Sequence, residues 1–80
     1  MQLKDELTTR LKNKFPKARI SVEVQGSSAF LGVISDDFLG HSQVQRQQTV
    51  YGLISDLIQT GELHAVTIHA KTLAETTDSD

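Results

Sequence analysis

Leu3, Leu7, Leu11 and Phe15 recur at every fourth position of an otherwise polar run, the stripe of a one-sided helix. Pro16 closes it, because the residue before a proline is pushed out of the helical region. Ile20, Val22 and Val24 then alternate with Arg19, Ser21, Glu23 and Gln25, the two-residue period of a strand buried on one side. Gly26-Ser27-Ser28 has the length and composition of a hairpin turn. Residues 29–35 are more uniformly apolar and read as a second strand, with Gly32 marking a bulge or a close approach.

Asp36 to His41 reads as a loop. Ser42 suits a helix N-cap, where its hydroxyl accepts from a first-turn N–H. Val44, Tyr51, Ile54 and Ile58 mark one face of the helix that follows, widened by Val50, Leu53 and Leu57, and Gly61 fits a left-handed stop. Leu63 to Ala70 is a third strand with His64, Val66, Ile68 and Ala70 on one face. The order α-β-β-α-β predicts an α+β domain with two helices on one side of a three-stranded sheet. The domain is read as residues 1–75, a short helical turn following Lys71, and residues 76–80 as a disordered acidic tail.

Eighty residues make one small domain that buries only ~60–65% of its unfolded surface, which leaves little room for an enclosed active site. No apolar run has membrane-spanning length, and Lys4, Asp5, Glu6 and Arg10 interrupt the start where a signal peptide would be apolar. A cytoplasmic protein is expected. The net charge of −2 hides an asymmetry: six of the eight basic side chains lie in residues 1–19. A basic helix of this kind reads first as a solvated face and second as a contact to phosphate. The acidic remainder argues against a whole-surface nucleic-acid binder. There is no cysteine, so disulfides and any self-contained thiolate site for zinc or iron–sulfur are excluded.

Enzyme signatures are missing. No serine sits in a Gly-x-Ser-x-Gly elbow, and there is no phosphate-binding or dinucleotide-binding glycine loop. Asp36-Asp37 is better explained by turn formation than by paired-carboxylate catalysis. A non-enzymatic protein is expected. His64 and His69, five apart, project to opposite faces of one strand and do not grip one ion. His69 reads as a solvated strand residue and His41 as a solvated loop residue. His64, on the apolar face at the strand's start, reads first as a packing histidine and second as a ligand.

The segment Phe38-x-Gly40-x-Ser42-x-Val44-x-Arg46-Gln47-Gln48-Thr49-Val50-Tyr51-Gly52, followed by Leu63-His64-Ala65-Val66-Thr67-Ile68, resembles the BolA-like family, and especially its bacterial IbaG-type branch. The likeness spans about residues 3–75. It implies a type II KH-like fold and partnership with monothiol glutaredoxin in iron–sulfur cluster assembly and trafficking. A [2Fe–2S] cluster would be shared with glutaredoxin and glutathione, and His64 takes the position of the family's histidine ligand. Alone, the chain would hold no cofactor and be a monomer or weak homodimer. Gly40, Ser42, Arg46 and Lys71 are the candidate partner contacts. Ser42 and Tyr51 also have plain structural readings, as cap and core, and Arg46 reads as a cation on an exposed helix face.

The chain departs from the family pattern in three places, one of them His69, which follows Ile68 where relatives carry lysine, with Lys71 two residues later. Many relatives carry a second histidine or cysteine in the hairpin, where this chain has Gly26-Ser27-Ser28-Ala29; ligation then falls to His64 alone, or with His41 brought from across the surface. Thr72-Leu73 replaces a Thr-Pro step, which predicts a less sharply started final helical turn. The alternative is a KH-like DNA-binding transcriptional regulator using Arg46 and Gln47. Against it, no two of the five glycines are three apart, as a Gly-x-x-Gly backbone clamp needs.

Overall fold

The leucine stripe folds as α1 (Leu3–Lys14), and Leu7 and Leu11 on it are completely buried, each contributing about 1.5–3 kcal/mol of transfer free energy. The computed structural model describes residues 2–77. After α1 come β1 (Arg19–Gln25) and β2 (Ser28–Ile34), an antiparallel hairpin turned at Gly26-Ser27, and then a single 3-10 turn, Asp36–Phe38. The chain continues through α2 (Gln43–Gly52), α3 (Ser55–Gln59), β3 (Ala65–Lys71) and α4 (Leu73–Thr77). β3 lies parallel to β2, giving a mixed sheet in the order β1-β2-β3.

Register fixes the two faces. Ile20-Val33-Ala70, Val22-Leu31-Ile68 and Val24-Ala29-Val66 form cross-strand rows on the side that packs with α1 and with α2 and α3 around the core. The alternate rows, Arg19-Ile34-Lys71, Ser21-Gly32-His69, Glu23-Phe30-Thr67 and Gln25-Ser28-Ala65, are exposed or only half-buried. The expectation of helices on one side of a three-stranded sheet is met. Gly32 lies in unbroken register, so it marks no bulge. A Cβ there would stand 3.4 Å from the Phe30 ring, so the glycine makes room for that ring to lie against the sheet.

The expected single helix after Ser42 is broken. Leu53 and Ile54 bond back three residues, to the carbonyls of Val50 and Tyr51, and α3 starts at Ser55. The inward stripe is Arg46, Val50, Ile54 and Leu57, all buried, while Val44 and Tyr51 are exposed. The apolar pattern put the stripe on the wrong phase because its first position is an arginine. Strand 3 begins at Ala65 rather than Leu63, and Leu63 is a buried anchor in the preceding turn. Arg10 joins α1 to the end of the broken helix: its guanidinium donates to the Leu53 carbonyl at 3.0 Å and to both Asp56 oxygens at 2.6 and 3.0 Å.

α4 is sharply started, contrary to expectation. Thr72 accepts from the Glu75 N–H at 3.3 Å and the Glu75 carboxylate accepts from the Thr72 N–H at 2.8 Å, a capping box that does the work a proline would have done. The tail expected at 76–80 therefore overlaps the end of α4, and residues 78–80 lie outside the described residues. No helix among the described residues is long and apolar enough to cross a membrane.

Candidate functional site

His64 sits between two anchors. On one side Leu63 is fully buried and its N–H donates to the Leu57 carbonyl at 3.0 Å; on the other, the His64 N–H donates to the Ser27 carbonyl at 2.8 Å. Gly61 adopts φ +83° to turn the chain out of α3, and a Cβ built on it would stand 3.9 Å from His64 Nε2. The backbone at His64 is thus fixed from both directions while the residue is exposed. Its imidazole takes part in no hydrogen bond or ion pair among the described residues. It is not a packing histidine.

The hairpin is beside it, as the bond to Ser27 shows, and offers only serine side chains. Among the described residues no group of three or more His, Cys, Asp and Glu side chains is placed to hold a metal ion. His41 does not help. It precedes α2, whose Gln43 reaches the Ala70 carbonyl at 3.5 Å, and so lies at the far end of β3, about 17 Å from the strand's start at ~3.3 Å per residue. His69 is on the open face, its ring 4.9 Å from that of Phe30. Phe30 itself is exposed there.

The far end of β3 holds a different constellation. Arg46, expected on an exposed face, is only 5% exposed. Its Nε donates to the His41 carbonyl at 3.0 Å and its Nη1 to the Ala70 carbonyl at 3.2 Å. The fork also meets Glu75, at 2.7 and 3.1 Å, and the guanidinium lies 5.8 Å over the Phe38 ring. An apolar slot lined by carbonyls suits arginine, which spreads its charge over several planar donors.

Gln47, the other candidate nucleic-acid contact, donates to the Ile68 carbonyl at 2.7 Å. Neither side chain presents a free head group for phosphate or base. Ser42 is the expected cap, in a capping box with Gln45, and Gly40 holds φ +80° just before it, a conformation costly for a residue with a Cβ. Lys71 is exposed at the end of β3 beside Ile34. Gly40, Ser42, Arg46 and Lys71 thus gather at the end of the sheet opposite His64. Lys12, Lys14, Lys17 and Arg19 are exposed and form no ion pair among the described residues.

Glu75 is the partner that sequence reasoning missed, although Thr72 three residues before it is a capping-box signature. The Arg46 fork, and then the Thr72 N–H, lower its carboxyl from 4.5 to about 2. The folded form therefore resists a proton that the unfolded chain accepts. This contribution is whole above 4.5 and is lost as pH falls from there towards about 2. In urea unfolding, wild type is expected to lose more stability between about pH 5 and pH 3 than Glu75→Gln does. Equal losses would show that the pair carries no such linkage.

Comparison with known proteins places this geometry. Residues 9–75 match the model of the BolA-like protein family. An uncharacterized protein in the rpoN-murA intergenic region of Acinetobacter guillouiae is 41% identical over 71 residues, covering 89% of this chain and 86% of that protein. The acid stress protein IbaG of Escherichia coli K12 is 35% identical over 71 residues, covering 89% of this chain and 84% of its own. The BolA domain of SufE1 from Arabidopsis thaliana superposes with a TM-score of 0.83 at 28% identity, covering 94% of this chain and 96% of that one. The chain therefore belongs to the BolA-like family, and its three-stranded mixed sheet with helices matches the solved BolA domain it superposes on.

Proposed function

We propose that this chain is a non-enzymatic, cytoplasmic partner of monothiol glutaredoxin in iron–sulfur cluster assembly and trafficking. His64 supplies the histidine ligand to a [2Fe–2S] cluster shared with glutaredoxin and glutathione. One observation carries the reading: His64 has a rigid backbone and an exposed, uncommitted imidazole. A ligand held this way loses little freedom on coordination, so little of the binding free energy goes into ordering it.

The donor set fits one position of a shared cluster and no more. A single imidazole does not hold a cluster, and a chain without cysteine leaves every thiolate to the partner. Alone, the chain is a monomer or weak homodimer without a cofactor. When bound, a cluster with one imidazole in place of thiolate is less negative and has a raised potential. The chain's own part is to present His64, with Leu63 and Ser27 setting where it stands.

Mixing the protein with cluster-loaded monothiol glutaredoxin is expected to give a visible circular dichroism spectrum distinct from that of the glutaredoxin alone. His64→Ala should abolish that difference. As an exposed substitution it should shift stability by no more than about 0.5 kcal/mol. A heterocomplex spectrum unchanged by the substitution sinks the proposal.

A further inference from the structure

Tyr51 and Gly52 belong to the segment that carries the family resemblance, yet the fold explains neither. Tyr51 is exposed rather than in the core. Gly52 ends α2 with an ordinary negative φ, and a Cβ added to it would meet nothing within 4 Å. Glycine at such a position weakens a helix relative to alanine, so the fold gains nothing from it. What the missing side chain does leave open is a groove lined by Gln47, Gln48, Tyr51, Gly52, Val66 and Ile68. It runs between α2 and the first half of β3, and its Val66 wall is two residues from His64.

We infer that this groove is the docking surface for the thiolate-bearing partner, which inserts an apolar side chain between Tyr51 and Val66. The inference rests on the cluster reading for His64 and specifies how that partner is held. Three features favour a protein segment over nucleic acid. The lining is apolar with an amide rim, it contains no lysine or arginine to meet a phosphate, and its Val66 wall stands two residues along the chain from His64. Strand addition along the second half of β3 is blocked, because Gln47 occupies the Ile68 carbonyl and Gln43 and Arg46 the Ala70 carbonyl. The stretch left open, Ala65 to Thr67, is short for an added strand, so contact rests on side chains.

The test is calorimetric titration with monothiol glutaredoxin, apo and cluster-loaded, of wild type, Tyr51→Ala, Gly52→Leu, Gly52→Ala and His64→Ala, each first checked by thermal unfolding. Gly52→Ala should melt no lower than wild type. Gly52→Leu and Tyr51→Ala should weaken binding at least tenfold, while complexes formed at high concentration keep the wild-type visible spectrum. His64→Ala should lose that spectrum yet retain binding to apo-glutaredoxin. Groove variants that bind like wild type while His64→Ala loses the spectrum would overturn the groove and leave the cluster reading standing. Weakened binding in the groove variants with no spectral effect of His64→Ala would do the reverse. Loss of single-stranded oligonucleotide binding in place of glutaredoxin binding would also overturn the inference.

Discussion

A chain with alanine at position 38 is expected to unfold about 3–5 kcal/mol more easily than wild type. Phe38 is 1% exposed, and its ring lies 5.2 Å from that of Phe15 at the end of α1 and beneath the Arg46 guanidinium. The side chain is presented by the 3-10 turn, which Ser35 pins by accepting from the Asp37 N–H at 3.1 Å. Removing the ring leaves a cavity that rigid neighbours on α1 and α2 do not fill, which puts the cost at the upper part of the usual range. Total stability for a domain of this size is roughly 4–12 kcal/mol, so the loss is a large fraction of it. Melting temperature should fall by more than about 10 °C, whereas Phe38→Leu, which keeps most of the volume, should cost under about 1.5 kcal/mol. An alanine variant melting within a few degrees of wild type would contradict the role assigned to this ring.

Arg46→Ala is expected to cost about 2–4 kcal/mol, and Arg46→Lys to recover less than half of it. The loss comes mainly from the carbonyls of His41 and Ala70, each of which gives up a charged donor in a buried slot. The ion pair adds less, since the Glu75 side chain is 42% exposed and partly screened. Lysine keeps the charge but is a single point; it does not span two carbonyls and both Glu75 oxygens. The effect should be local first. Amide exchange at Thr72 and along α4 should accelerate before the core strands loosen, while the spectrum of the proposed cluster complex at His64, about 20 Å away along β3, should persist. The Arg46 guanidinium lies 5.8 Å over the Phe38 ring, so their combined cost should differ from the sum of the two. A spectrum lost in the arginine variant would instead give it a direct part in ligation.

Much of this was legible from the chain, and the failures share a physical cause. The stripe of α1, the alternation in β1 and the cap at Ser42 follow from local periodicity and local hydrogen bonding, and all appear as expected. The second helix was misphased because Arg46 fills a core position that an apolar count skips, and a buried arginine becomes intelligible only when its carbonyl and carboxylate partners, 24 and 29 residues away, are placed. Tyr51 reads as core because a large aromatic ring usually packs inside; tertiary arrangement leaves it exposed. His64 was legible as a position, through the family resemblance, and the nearness of the hairpin follows from β2 and β3 running parallel from the same end. That its imidazole is uncommitted was not legible, since it depends on which neighbours do not reach it.

The glutamine and arginine side chains of α2 that cap the Ile68 and Ala70 carbonyls have a consequence for colloidal behaviour. An open three-stranded sheet exposes two strand edges, and either one is a template for edge-to-edge growth of aggregates. Here one of them is masked by its own helix over its second half. The remaining edge, β1, carries Arg19 and Glu23, charges of the kind that discourage stacking of like edges. A small domain with one sheet face uncovered can therefore remain dispersed at high concentration.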